Sequence, residues 1–183
     1  ADIVLELPVR YATSPAEWFA YGAVTTLNAA GVVDALCFGS ELGAIEPLSE
    51  LAEMLAQEPE PFKALLKQHL KNGNSYPSAY SAAIRSFTSL EEDAAAKPNN
   101  NLGLHYLIAL KRTRSRMIPF TIPRIKADYH QEQVTDRKIA SATAIRKLIM
   151  GHADLSSTGP LLPASTKFIL EREFAEGRGP ISW

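Results

Sequence analysis

The sequence predicts an α/β protein in which helices pack against a parallel β-sheet. The main observation is a strand, helix, strand order: apolar runs fill 3–7 and 32–38, and an amphipathic helix covers 16–30 between them. Such an order within about 40 residues is typical of a right-handed βαβ unit. A second observation is the apolar run at 117–122, which comes after a long helical stretch and predicts a third strand.

Local signals give these elements their bounds. The first apolar run is short and stops at Pro8, as expected of a buried parallel strand. The helix after it begins at Ser14, with Glu17 three residues later in the spacing of a capping box, and it ends at Gly31. In the third strand, Pro119 favours an edge position or the start of the strand.

The stretch between the second and third strands predicts a helical insertion. Apolar residues recur at three- and four-residue intervals through 47–96, with Pro and Gly as interruptions, which indicates three or four helices. Three further helices are predicted, one from the turn at 98–101 to Leu110, one at 141–150 and one at 163–175. We expect residues 1–150 to form the α/β domain and residues 151–183 to begin a C-terminal helical region.

Composition and charge exclude several classes of protein. Apolar residues make up 46% of the chain, charged residues 21%, and the formal net charge is −1, a balance that predicts a folded core. The single cysteine, Cys37, excludes a disulfide framework and is expected to pack as a small apolar residue in its strand. The four histidines lack the spacing of metal ligands, so no protein metal site is predicted. Apolar runs shorter than the roughly 20 residues of a membrane span predict a soluble, cytoplasmic protein with no membrane contact.

Two segments at predicted element ends are candidate nucleotide contacts. FGSE (38–41) lies at the carboxyl end of the second strand, where ligands bind in open α/β sheets. Gly39 lets a base or ribose approach the backbone, and Ser40 and Glu41 could bind a sugar. In PNNNLG (98–103), one Asn would cap the helix and the others would offer amide groups to phosphate or ribose oxygens. The alternatives are an ordinary turn and a capped turn with solvent-facing Asn residues.

The segment IASATAIR (139–146) is the most specific candidate. Hydroxyl groups of Ser141 and Thr143 lie at a predicted helix start, and Arg146 shares a helix face with Thr143. Hydroxyls, helix dipole and guanidinium then converge in a way that suits the phosphates of a nucleoside triphosphate. The alternative is a capped amphipathic helix with a solvated arginine.

A cluster of basic residues comes after the helix that ends near Leu110. It contains Lys111, Arg112, Arg114 and Arg116. The cluster indicates either a phosphate patch for RNA or an ordinary solvated surface.

Taken together, the motifs resemble the bacterial tRNA(Met) cytidine acetate ligase family. In chain order they are LELP (5–8), FAYGAV (19–24), FGSE (38–41), SYPSA (75–79), PNNNLG (98–103), TIPR (121–124) and IASATAIR (139–146). That family is similar to nucleotidyltransferases with a His-x-Gly-His motif, so the resemblance implies a Rossmann-like parallel sheet. It also implies that ATP, with Mg²⁺, activates acetate, and that the acetyl-adenylate acylates N4 of the wobble cytidine of elongator tRNA(Met).

The resemblance also assigns roles to residues. ATP contacts fall on Gly39, on Asn99 or Asn100, and on Arg124, while Ser141, Thr143 and Arg146 form the phosphate-binding segment. The basic cluster at 111–116 is our expected tRNA contact, on charge alone.

The chain departs from the family at several points. Asn101 stands where the family usually has an apolar residue, and His105 where an acidic residue is common. The His-x-Gly-His segment would precede the first residue, and most of the C-terminal region would come after the last. We therefore expect a sheet incomplete at both ends and a chain that is inactive by itself. The alternatives to a ligase are a nucleotidyltransferase that moves AMP to a small cofactor precursor and a non-catalytic RNA-binding module; no oligomeric state is predicted.

Overall fold

The chain forms two compact units, 1–124 and 125–183. They are defined in a computed structural model that describes residues 2–87, 97–125, 139–152 and 155–179. None of the described helices is long and apolar enough to cross a bilayer.

The first unit contains a parallel two-stranded sheet. Strand β1 (Ala35–Ser40) pairs along its whole length with β2 (Ile118–Pro123). The second and third predicted strands and their parallel direction are thereby confirmed. The strand predicted at 3–7 is wrong, because residues 2–8 have no regular structure and Ile3 is exposed. A strand needs partners for its backbone N–H and C=O groups, and no described strand lies beside this segment.

Six helices are described in the same unit: α1 (Val9–Ala12), α2 (Ala16–Ala30), α3 (Glu46–Ala56), α4 (Glu60–Lys71), α5 (Tyr76–Phe87) and α6 (Pro98–Arg112). Helices α3 to α5 confirm the helical insertion between the strands. The fourth helix predicted there, at 90–96, lies outside the described residues. The single-turn helix α1 was not predicted.

The two ends of α2 differ in how well the sequence predicts them. Gly31 ends the helix as predicted, in the left-handed conformation (φ 72°) that glycine adopts readily. The predicted capping box is wrong, because Pro15 occupies the N-cap position and no side chain caps the helix. The Ser14 hydroxyl instead donates a hydrogen bond to the Arg10 carbonyl oxygen at 2.6 Å. A residue between two consecutive helices can bond to either of them, and here it bonds to the end of α1.

Helix α6 is the centre of the first unit. It packs against α2, α3 and β1, while α4 and α5 pack against each other. The core that these contacts enclose includes Val24, Phe38, Leu48, Leu51, Leu55, Phe62, Ile84, Leu104 and Ile108. The close approach of α6 to the sheet depends on Gly103, because a Cβ at this position would lie 2.5 Å from Cε2 of Phe38.

Substitution Gly103→Ala is expected to lower the free energy of unfolding by about 1–2 kcal/mol. Overpacking costs roughly 1–3 kcal/mol, and the better helix propensity of alanine recovers up to about 1 kcal/mol. Urea denaturation measures the change. The control is Gly151→Ala, also within a helix, where a Cβ has nothing within 4 Å. Equal effects of the two substitutions would show that the contact with Phe38 does not limit residue 103.

The two faces of the sheet have different surroundings. Along β1 buried and exposed residues alternate, with Leu36, Phe38 and Ser40 facing α6. Cys37 is exposed on the other face, so the expectation that it packs as a small apolar residue in its strand is wrong. Strand β2 exposes Phe120 by 53%. Most parallel sheets are buried on both faces, but no described element of this unit covers the second face.

The second unit contains α7 (Ala142–His152), a 3₁₀ segment (Ser156–Leu161) and α8 (Ala164–Ala175). Helix α7 packs against the 3₁₀ segment. Both helices predicted in this region are confirmed. Helix α7 and the 3₁₀ segment therefore belong to one compact unit, which begins at residue 125. The domain boundary at 150 stays a prediction.

Candidate functional site

The carboxyl ends of β1 and β2 are joined by hydroxyl groups. Ser40, the last residue of β1, is completely buried, and its Oγ accepts a hydrogen bond from the Gly43 N–H at 3.0 Å. The Thr121 hydroxyl lies 2.7 Å from Ser40 Oγ and 3.1 Å from the Phe38 carbonyl oxygen. These bonds fix the turn that leaves the sheet at the edge where ligands bind in α/β folds.

Glu41 caps the N-terminus of α6 from a different part of the chain. Its carboxylate accepts hydrogen bonds from the backbone N–H groups of Asn99 (3.2 Å) and Asn100 (2.8 Å), and from the Asn99 side-chain amide (2.6 Å). Burial opposes ionisation, but these hydrogen bonds outweigh it and hold the pKa of Glu41 below its usual value. An ionised carboxylate therefore sits at the positive end of the helix.

Asn100 makes the reciprocal contact with the turn that contains Glu41. Its side chain is completely buried, and Oδ1 accepts hydrogen bonds from the backbone N–H groups of Glu41 (2.8 Å) and Leu42 (3.1 Å). We call this reciprocal arrangement the Glu41–Asn100 lock. It corrects the prediction that an Asn would cap α6, because Lys97 holds the N-cap position without a side-chain bond. In the lock, Glu41 occupies the N-terminus of α6, where phosphate oxygens were predicted to bind.

Gly39 and Arg124 lie beside the lock. Gly39 is exposed, and a Cβ there would meet only the Ile122 carbonyl oxygen, at an ordinary 3.9 Å. The fold therefore does not require glycine at this position, and the contact of Gly39 with a nucleotide stays a prediction. The Arg124 N–H donates to the Ser40 carbonyl oxygen at 2.9 Å, so this arginine extends the strand pairing to the same edge. The structure thus brings together Gly39, Asn99, Asn100 and Arg124.

The segment 139–146 belongs to the second unit and forms the start of α7. Ser141 is buried, and its Oγ accepts a hydrogen bond from the Ala144 N–H at 3.0 Å, which is an N-cap contact. Thr143 is half-buried, and Arg146 is exposed. The predicted helix start is confirmed, while the phosphate role of these three residues stays a prediction.

Two of the four residues in the basic cluster form ion pairs with carboxylates. Lys111 pairs with Glu53. Arg112 pairs with Glu17 at 2.9 Å and with Glu58 at 2.6 Å. Arg114 and Arg116 are exposed and take part in no ion pair between described residues.

The described residues contain no group of three or more His, Cys, Asp or Glu side chains arranged to hold a metal ion. The lock itself was missed by sequence reasoning. The only signal for it was an acidic residue directly after a strand and a run of Asn residues 58 positions later, and no local pattern links the two.

Comparison with known proteins gives matches over nearly the whole chain. A family model described as HIGH Nucleotidyl Transferase matches residues 1–183. The tRNA(Met) cytidine acetate ligase of Acetivibrio thermocellus is 43% identical, covering 99% of this chain and 45% of that protein. The protein of the same name from Alkaliphilus metalliredigens is 44% identical, covering 98% of this chain and 45% of its own length. The chain thus spans less than half the length of these relatives.

Solved structures agree with these matches. The apo crystal structure of TmcAL from Thermotoga maritima superposes with a TM-score of 0.88 at 37% identity, covering 98% of this chain and 43% of that one. TmcAL bound with alpha-thio ATP gives a TM-score of 0.83 at 36% identity, covering 98% and 42%. The resemblance seen in the motifs and the predicted α/β fold are confirmed.

Proposed function

Because the chain belongs to the HIGH nucleotidyl transferase family, we propose that it forms the nucleotide-binding part of an ATP-dependent tRNA(Met) cytidine acetate ligase. The observation that carries the proposal is the match of nearly the whole chain to proteins of that name, at 43% and 44% identity. An oxygen of acetate attacks the α-phosphorus of ATP in line, and pyrophosphate leaves. N4 of the wobble cytidine of elongator tRNA(Met) then attacks the acetyl carbon, loses a proton and displaces AMP. A tRNA substrate implies a cytoplasmic location.

The carboxyl edge of the sheet is proposed to hold the adenosine. Gly39 offers an open backbone, and Asn99, half-buried beside Glu41, offers an amide at the same edge. Asn100 is completely buried, so its contribution is to fix the turn after β1 rather than to reach a ligand with its side chain. Arg124 is proposed to lie against the nucleotide.

The start of α7 is proposed to bind the β- and γ-phosphates through Ser141, Thr143 and Arg146. Positioned hydrogen-bond donors stabilise charge that develops as pyrophosphate leaves. With no three-ligand acidic or His cluster among the described residues, Mg²⁺ would enter with ATP as part of the substrate, on its phosphate oxygens.

Exchange of labelled pyrophosphate into ATP tests the first step in the full-length protein. The proposal requires exchange that depends on acetate, and acetylated cytidine in tRNA(Met) when the tRNA is added. Exchange that proceeds without acetate, with AMP transferred to another small molecule, would instead indicate a simple nucleotidyltransferase.

Substitution Arg146→Ala is expected to slow acetate-dependent pyrophosphate exchange by at least about tenfold, because loss of one charge-assisted hydrogen bond costs about 1.5–3 kcal/mol. Lys147→Ala, which removes a neighbouring charge on the same helix, is the matched control and should change the rate less than about twofold. A near-normal rate in Arg146→Ala would show that Arg146 does not bind the phosphates.

Arg114 and Arg116 are proposed as the tRNA contacts in the basic cluster, since Lys111 and Arg112 already pair with carboxylates. Replacing both arginines with glutamine is expected to weaken tRNA binding and to reduce the slope of log K against log salt by about 1–2. Filter binding at several salt concentrations measures the slope. An unchanged slope would show that the tRNA phosphates do not contact Arg114 and Arg116.

A further inference from the structure

The first unit contains a second concave site, between α2 and α6. This α2–α6 cavity has a volume of about 280 Å³ and is lined by Glu17, Trp18, Tyr21, His105, Ile108, Ala109 and Arg112. None of the residues proposed to bind ATP lines it. The volume lies near the lower end of the roughly 300–1,000 Å³ that small-molecule sites occupy, which suits one ring system and its substituent.

Aromatic side chains form the outer part of the cavity. Trp18 is 50% exposed although it is among the most apolar side chains, and its ring meets that of Tyr21 edge to face at 5.8 Å. The contact holds both rings in place and leaves part of each open to a ligand. Half-exposed aromatic rings of this kind are the surfaces on which unstacked RNA bases pack.

The polar wall of the cavity combines an acceptor with a donor. The Glu17 carboxylate accepts hydrogen bonds from Arg112 (2.9 Å) and from the Tyr76 hydroxyl (3.3 Å), and it keeps further lone pairs. The Arg112 guanidinium has five N–H groups, and three of them bond to Glu17, Glu58 and the Ala56 carbonyl oxygen. Arg112 pairs with two carboxylates, so these three groups keep a net charge of −1 and the wall disfavours an anionic ligand. A ligand with both donor and acceptor atoms can bond to it.

His105 closes the inner end of the cavity. The residue is 5% exposed, its ring lies 5.2 Å from that of Tyr80, and Nδ1 is buried without a hydrogen-bond partner among the described residues. Burial lowers the pKa of His105 to about 4, so the imidazole is neutral at pH 7 and carries a single N–H. An unpartnered buried nitrogen costs stability.

We infer that the α2–α6 cavity binds one unstacked nucleobase whose edge carries an amino group beside a ring nitrogen, as cytosine does. The amino group donates to Glu17, the ring nitrogen accepts from Arg112, and the base packs on Trp18. Carboxylates recognise the amino group of cytosine, whereas uracil presents a carbonyl oxygen there and would face the carboxylate with a second acceptor. The inference rests on the proposed function, because the RNA substrate supplies the base.

Fluorescence of Trp18 tests the inference directly. In a Trp183→Phe background of the full-length protein, Trp18 reports on the cavity with one fewer competing indole. Cytidine and uridine are the probes, since neither competes for an ATP site as adenosine would. We expect saturable quenching by cytidine and at least about tenfold weaker quenching by uridine, the ratio that one good base contact gives.

Two variants separate recognition from simple stacking. Glu17→Gln keeps the shape of the side chain and should reduce the cytidine-to-uridine ratio to near one. Phe168→Ala, which removes an exposed ring in the second unit, should leave the ratio unchanged. Equal quenching by cytidine, uridine and phenol in the unsubstituted cavity would overturn the inference, as would no quenching at all. Acetate-dependent pyrophosphate exchange on the same preparations tests the proposed function separately.

Discussion

Replacing Asn100 with leucine is expected to lower the free energy of unfolding by about 2–4 kcal/mol, because it leaves the backbone N–H groups of Glu41 and Leu42 without their acceptor. Each hydrogen bond lost at a partly buried group costs about 1–2 kcal/mol. The leucine side chain also fills the space of the buried Asn100 amide without replacing its polar atoms. Urea denaturation at pH 7 measures the loss.

The matched control for this prediction is Asn101→Leu. Asn101 is the next residue of α6, is half-buried, and its side chain makes no hydrogen bond to the described residues. We expect a change below about 1 kcal/mol there, as for most substitutions away from polar networks. If the two leucine variants were equally stable, the Glu41–Asn100 lock would not contribute to the stability of the unit.

Acidification from pH 7 to pH 4.5 is expected to destabilise the protein by about 2–3 kcal/mol through His105. Burial lowers the pKa of His105 from 6.5 to about 4, so the unfolded chain takes up a proton across this window and the folded chain does not. Stability is therefore complete above pH 6.5 and is lost progressively as the pH falls towards 4. The size follows from a shift of about 2.5 units at 1.36 kcal/mol each, most of which has been lost by pH 4.5.

The groups that face His105 support this window. Glu17 favours the protonated ring and Arg112 disfavours it, while the Tyr80 hydroxyl stays neutral, since burial raises its pKa. Urea denaturation at pH 7, 6, 5 and 4.5 gives the profile. The variant His105→Gln should lose about 2 kcal/mol less over the same range. Parallel profiles for the two proteins would mean that another group controls the acid sensitivity, with Glu41 the next candidate at lower pH.

Sequence patterns predicted the elements whose causes are local. The helices α2 to α8 follow from apolar periodicity, and Gly31 marks the end of α2 because a left-handed residue is needed there. The two strands follow from apolar runs between turn residues. The run at 3–7 has the same composition but no partner strand among the described residues, and composition cannot distinguish the two cases.

The candidate site was predicted in its residues but not in its contacts. Gly39, Asn99 and Arg124 do meet at one edge of the sheet. Sequence reasoning gave the capping role to an Asn, because local caps are the common ones, whereas Glu41 supplies it across 58 positions. In the same way, Arg112 was predicted to contact RNA or solvent. Instead it pairs with Glu17 and Glu58, which are both remote in sequence.

The lock has a consequence for how this chain tolerates changes in length. Glu41 and Asn100 are 59 positions apart, and α3, α4 and α5 all lie between them. Residues added in the exposed turn after α4, at 72–74, would lengthen a loop whose two ends are already tied together. Doubling a flexible loop costs only about 0.6 kcal/mol in closure entropy. The turn at 72–74 can therefore lengthen during evolution while the edge of the sheet keeps its shape.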